Sequence, residues 1–290
     1  MRDKLTTLAD AVSLVEDGSS LGIATMAVHS TAIVPMAAVR EIARQGKRDL
    51  TVFTPMAEME TDLLTAAGCV AELQFWATRL FETGTPPNIR RAMEAGEVVA
   101  REHSEFSFTL GVLAGGMGLE FVPLHGYYND HFQHHPEWRR FPSPFDGKEM
   151  LAVTAIAPDV ALAHVAKADK HGNAVFGETH WDNVSAKFLA PNMVKSAKRV
   201  IQTAEEIISN DEIRKTPDQT DILYYDVDAV VHVPGGAHPH GVIGHYEPDA
   251  AHIEAYHTAG RTAEDFAAYL QTYVHEPSDH EAYRALVGTA

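Results

Sequence analysis

The chain has 290 residues, 45% of them apolar, enough to bury a large core in one big domain or two small ones. Acids outnumber bases 40 to 23, a net charge of −17 with histidines neutral, which excludes a nucleic-acid backbone as the main partner because phosphate binding needs the opposite excess. A single cysteine, Cys69, excludes an intramolecular disulfide, and no stretch approaches the ~20 apolar residues needed to cross a bilayer.

The first residues, Met1 to Thr7, carry charges with no apolar core behind them, so they do not read as a secretory signal. With the lone cysteine, this gives the expectation of a cytoplasmic protein without a membrane partner. Leu5 to Val15 then reads as a short helix ended by Asp17-Gly18, and Leu21 to Ala24 as a buried strand. Val34, Ala38, Val39 and Ile42 have helical spacing, with Gly46 where a C-terminal cap belongs. Strands at Leu50 to Phe53 and Val70 to Phe75 alternate with helices around Thr61 to Ala67 and Asn88 to Ala95. A Gly-rich helix from Phe106 to Gly118 leads to a strand at Leu119 to Pro123.

Residues 125–148 hold aromatics, histidines and prolines without a period, the pattern of a long excursion or lid. Alternation resumes with Met150 to Ala157 and Val160 to Val165. Asp169 to Asn173 then forms a turn leading into Ala174-Val175-Phe176. Lys198 to Thr203 and Ala229 to Val233 supply two more strands. Near the end, Thr262 is an N-cap for a helix whose apolar face is Phe266, Tyr269, Leu270 and Tyr273. Repeated strand–helix alternation predicts an α/β fold with an open, mainly parallel sheet flanked by helices. No linker divides it, so residues 1–290 are expected to form one domain.

The last predicted strand is rich in β-branched residues and stops in a Pro-Gly-Gly turn, Pro234 to Gly236, followed by Ala237, His238 and Pro239. Sheets of this kind place their chemistry in loops at the carboxyl ends of strands. The loop is therefore a first candidate for a site.

Those residues carry a resemblance. The order Phe121-Val122-Pro123, Pro144-Phe145, the Asp169 to Ala174 turn, Glu205 to Ser209 with Asp211 to Arg214, Gly236-Ala237-His238-Pro239 and the run Thr262 to Tyr283 is similar to the alpha subunit of family I coenzyme A transferases, most of all that of glutaconate CoA-transferase. The resemblance implies a CoA-transferase-like fold and a CoA thioester substrate with no permanently bound cofactor. It also implies a beta-subunit partner in a heterodimer or heterotetramer. The mechanism it implies is covalent: a beta-subunit glutamate attacks the thioester and ends as an enzyme glutamyl-CoA thioester, before an acceptor carboxylate reverses the sequence.

By the same resemblance, Gly235, Gly236, Ala237 and His238 are expected near substrate, as are Gly22 and Thr25. Where the family carries Gly-Gly-Phe, this chain has Ala24-Thr25-Met26, so two close backbone approaches are narrowed. Two glutamates are candidates for chemistry. Glu82 lies in a Glu-x-Gly triplet, Glu82-Thr83-Gly84, which also fits an ordinary surface turn. Glu105 opens the Gly-rich helix. It corresponds in position to a glutamate of the bacterial steroid ring-opening CoA-thioester hydrolase, where a carboxylate serves as general acid/base; its bland reading is a first-turn glutamate favoured by the helix dipole.

That alternative makes the chain a subunit of a ring-opening hydrolase. A third reading, a non-catalytic structural subunit, follows from the replaced Gly-Gly-Phe. His125, His131, His134 and His135 lack a recognised ligand spacing with carboxylates, so no metal site is expected.

Overall fold

The computed structural model describes residues 1–23, 34–80, 84–125, 135–177 and 184–288, with side chains in the helix of residues 184–196 from Phe188 onward. In chain order the strands are β1 (Ser20–Ile23), β2 (Leu50–Phe53), β3 (Met56–Ala57), β4 (Val70–Phe75), β5 (Ala77–Thr78), β6 (Val99–Glu102) and β7 (Phe121–Leu124). They continue with β8 (Arg139–Pro142), β9 (Glu149–Thr154), β10 (Val160–Asp169), β11 (Ala174–Val175), β12 (Arg199–Ile208) and β13 (Ala229–His232).

The main sheet runs β13-β12-β10-β1-β2-β4-β6, all parallel, with β11 antiparallel to β10. Its central strands are nearly continuous apolar runs because both faces are covered. In β10 every residue but Lys167 is buried. The helices Met36–Arg44, Met59–Ala66 and Pro87–Ala95 link β1, β2, β4 and β6 and cover one face. Ala250–Ala259 and Ala263–Leu270 cover the same face with Tyr256 and Phe266. The helices Glu105–Gly116 and Val184–Ser196 cover the other.

From β1 the chain proceeds outward to β2, while β10 proceeds the opposite way to β12. The order therefore reverses between β1 and β10, which makes their carboxyl ends the natural crevice for a ligand. Residues 125–148, expected as an irregular excursion, contribute a strand of their own, β8. It joins β7 and β9 in a separate antiparallel sheet, order β7-β9-β8, with a small core of Leu124, Trp138, Leu151 and Val153.

Glycine governs the helix packing under this small sheet. A Cβ at Gly115 would stand 2.1 Å from the Ile156 carbonyl oxygen, and one at Gly111 3.1 Å from the Ile156 side chain. The first helix is shorter than its sequence suggests, Leu8–Val12, capped by Thr7. β12 is longer, running past Thr203 to Ile208. That extension decides the geometry of the site.

Candidate active site at the carboxyl ends of the strands

β10 outruns β1. Ile23 pairs with Leu162, and two residues further His164 stands on the same face with Thr203 of β12 in register beside it. Glu205 is one side-chain repeat beyond Thr203, so it too faces inward at the strand's carboxyl end. His164 Nδ1 lies 2.8 Å from Thr203 Oγ1, and its Nε2 lies 2.7 Å from Glu205 Oε1. His164 is fully buried and Glu205 nearly so.

Glu205 accepts from every side. The Gly235 N–H donates to Oε2 at 2.6 Å, and the Gly236 N–H donates to Oε1 at 3.1 Å. The Tyr246 hydroxyl donates to Oε1 at 2.6 Å, and the Ala237 N–H donates to that hydroxyl at 3.1 Å. Successive amides after β13 thus form an anion-binding nest, and the protein fills it with its own carboxylate. Burial pushes the Glu205 carboxyl up, but hydrogen bonding and charge from His164, with the Tyr246 and Gly235 donors, outweigh it and bring it down to about 2. Burial and the Glu205 charge push the Tyr246 phenol up.

A second cluster braces the loop from outside. His238 Nδ1 lies 2.8 Å from the Tyr283 hydroxyl, and Nε2 lies 3.2 Å from Asp249 Oδ2. Arg40 donates to the His238 carbonyl at 2.8 Å and lies over the Tyr283 ring, 3.6 Å from its centroid. The Gly236 carbonyl accepts from the Ala37 N–H at 2.9 Å, tying the turn to the helix Met36–Arg44. A Cβ at Gly236 would meet His164 Cε1 at 2.5 Å, and Gly235 sits at φ 71°. Both positions therefore require glycine, for close approach or for the left-handed backbone.

His238, Asp249 and His252 offer donor atoms within 4.8 Å of one another. His252 Nε2 lies 2.6 Å from the Tyr269 hydroxyl. Burial lowers the proton affinity of both histidines, His252 to about 4. The Arg40 guanidinium beside the group opposes a bound cation, and the hydrogen bonds account for the arrangement without one.

The expected site residues fall in three places. The loop Gly235 to His238 is on the β13 edge, with its amides turned inward. Gly22 is buried at the centre of β1, where a Cβ would meet Met193 Sδ at 2.6 Å and Pro158 Cγ at 2.8 Å. Glu105 follows β6 on the opposite edge. Six strand spacings separate the two edges, roughly 29 Å at ~4.8 Å each. One small reacting group cannot touch both Glu105 and the Gly235 loop. Thr25, Glu82, His131 and His134 lie outside the described residues.

Glu105 is exposed in the first turn of its helix. Ser104 caps that helix through a reciprocal pairing with Ser107. Beside it, at the ends of β4 and β6, stand Trp76 and His103. The Trp76 and Phe108 rings meet edge to face at 5.4 Å, and His103 meets Phe108 at 5.6 Å. His135 stacks on Trp138 at 4.3 Å, and His103 lies 5.9 Å from Trp138. The His103 Nε2 lies 3.0 Å from Gln74 Oε1.

Sequence reasoning did not find His164, Tyr246, Arg40 or the role of Glu205. The available signal was the period of two: with β12 extended through Ile208, Glu205 falls on the face of Ile201 and Thr203.

The sequence matches the coenzyme A transferase family over residues 5–233. The chain belongs to that family. It is 32% identical to one of the subunits of 3-oxoadipate CoA-transferase from Pseudomonas knackmussii, over 98% of each chain. It is 30% identical to one of the subunits of glutaconate CoA-transferase from Acidaminococcus fermentans, over 98% of this chain and 92% of that one. The crystal structure of the Acidaminococcus enzyme superposes with a TM-score of 0.87, covering 99% of this chain and 93% of the other. The IpdA subunit of the cholesterol ring-cleaving hydrolase of Mycobacterium tuberculosis is 28% identical over 94% of both. The CoA-transferase fold expected from the sequence is thus found, with a mostly parallel sheet and flanking helices. Among the described residues, no helix is long and apolar enough to cross a membrane.

Proposed function

We propose that this chain is the alpha subunit of an acyl-CoA:carboxylate CoA-transferase whose nucleophilic glutamate comes from a beta subunit. The observation that carries the reading is the state of Glu205. It is a buried carboxylate at the sheet's carboxyl end, and its hydrogen-bond partners are donors directed inward from its own chain. A buried, fully hydrogen-bonded carboxylate held at about 2 is a poor nucleophile. Its work is to hold the Gly235 to Ala237 loop. The attacking glutamate is then assigned to the partner, in keeping with relatives that are themselves named as subunits of CoA-transferases.

In this scheme the chain supplies walls for the thioester and positions the strand-end loops. Coenzyme A is a substrate, and no resident cofactor takes part. The protein is proposed to work in a heterodimer or heterotetramer, with residues 1–290 as one domain in the cytoplasm.

A second reading has one specific observation behind it. Glu105 is a solvent-exposed carboxylate in the first turn of the helix whose buried Phe108 packs against Trp76 and His103. It is also the residue through which a ring-cleaving hydrolase would work, as general acid/base. Purified together with its partner, the protein should move CoA from an acyl-CoA to an added carboxylate. Release of free CoA or of an opened ring without any acceptor, abolished in Glu105→Gln, would favour the hydrolase.

A further inference from the structure

A cleft of about 380 Å³ opens at the carboxyl ends of β10 and β12, a size usual for small-molecule sites. Two elements join it to the Glu205 site. On β10, Ala166 lies one side-chain repeat beyond His164 and lines the cleft. Ile243, Gly244 and His245 also line it, and they immediately precede Tyr246, whose hydroxyl donates to Glu205. At Gly177, another lining residue, a Cβ would stand 2.7 Å from the Ala166 Cβ, and the backbone has the left-handed φ of 87°. Only glycine suits both conditions.

The lining is mixed in character. Ala166, Val175, Ile208 and Ile213 give it apolar surface, while Thr216, Gln219 and His245 give it polar groups. Among the described residues, no side-chain hydrogen bond engages those three polar groups. The charges beside them are matched: Lys167 Nζ lies 3.7 Å from Glu206 Oε2, and Lys215 pairs with Glu212. A phosphate or carboxylate placed in the cleft would meet one carboxylate for each ammonium group. A neutral chain bearing amides meets no such opposition. Its amides can exchange hydrogen bonds with a hydroxyl, a carboxamide and an imidazole, and its methyl and methylene groups can cover apolar wall.

Coenzyme A has one segment of that kind, the pantetheine arm, whose amides, methyl groups and methylenes lie between its phosphates and its sulfur. We infer that this cleft holds the pantetheine arm, with Thr216 and Gln219 bonding its amides and the apolar wall covering its methyl groups, a step that rests on the proposed CoA chemistry. The arm then passes beside the loop that Glu205 holds, and the phosphates stay outside the cleft.

The test measures, by calorimetry on the enzyme with its partner subunit, the binding of CoA and of adenosine 3′,5′-bisphosphate, which represents the nucleotide end alone. Gln219→Ala, at an exposed position, is expected to weaken CoA about fivefold, the worth of one hydrogen bond. Thr216→Trp, also at an exposed position, fills the cleft and is expected to weaken CoA by about tenfold. Neither substitution should change the binding of the bisphosphate. Unchanged CoA binding in either variant, or an equal loss of CoA and bisphosphate, overturns the inference while leaving the CoA chemistry intact. Absence of CoA binding to folded, partnered wild type overturns the CoA chemistry itself.

Discussion

Replacing Glu205 by glutamine keeps its size and removes its charge. The glutamine oxygen can stand at the Oε1 position and still accept from His164, Tyr246 and the Gly236 N–H, the three donors there. Its amide then points at the Gly235 N–H, which in the wild type donates to Oε2 at 2.6 Å. Two donors face each other in a buried site. Losing charge-assisted hydrogen bonds and leaving one buried donor unmet costs about 3–5 kcal/mol. The depressed carboxyl gives a similar size by another route: a fall from 4.5 to about 2 corresponds to roughly 3 kcal/mol at 1.36 kcal/mol per pH unit.

The sign follows from the depressed value. This stability is fully present above about pH 4.5 and is lost as the pH falls toward about 2. Thermal melts at neutral pH should show Glu205→Gln lower by about 6–15 °C. Between pH 4.5 and 2 the wild type should lose stability more steeply than the variant, so that their curves converge. A neutral-pH loss below about 1 kcal/mol, or parallel acid limbs, would refute the assignment of Glu205 as the loop's anchor.

Other substitutions separate packing from chemistry. Glu105→Gln should abolish or sharply reduce turnover if the hydrolase reading holds and leave CoA transfer in place if the transferase reading does. In either case it should shift stability by no more than about 1 kcal/mol, since only a first-turn dipole contact is lost; activity and melting point measured on one preparation decide it. Gly115→Ala forces a methyl within 2.1 Å of the Ile156 carbonyl oxygen and should destabilise by about 1–3 kcal/mol in urea titration. Asp62→Ala removes the acceptor for the Asn88 and Ile89 N–H groups and the Tyr256 hydroxyl. It should cost about 2–4 kcal/mol and loosen the helix Pro87–Ala95, seen as faster amide exchange there.

Much of the sheet is legible in the sequence because buried parallel strands advertise themselves as apolar, β-branched runs. β1, β2, β4, β10 and β13 all lie where such runs stand. β6 is not legible: Val99-Ala100-Arg101-Glu102 is an edge strand whose residues are mostly exposed, so its pattern carries little burial signal. The helix Ala250–Ala259 is also unmarked, since its histidines and small residues show no apolar stripe, yet Asp249 caps it.

At the site, the Pro-Gly-Gly turn is readable from local chemistry. What fills the turn is not, because Glu205 reaches it from 30 positions earlier through a strand register that no local pattern reveals. Likewise, both Glu105 and the loop suggest a site, and only the strand order shows them at opposite edges.

Assignment of the nucleophile to the partner is tested most directly by mass spectrometry of both subunits after incubation with acyl-CoA and reduction by borohydride. A CoA-transfer site shaped by this chain and armed by its partner predicts loss of activity, with a reduced glutamyl residue on the partner and none on this chain. A modified glutamate on this chain, or continued turnover with neither subunit modified, would contradict it.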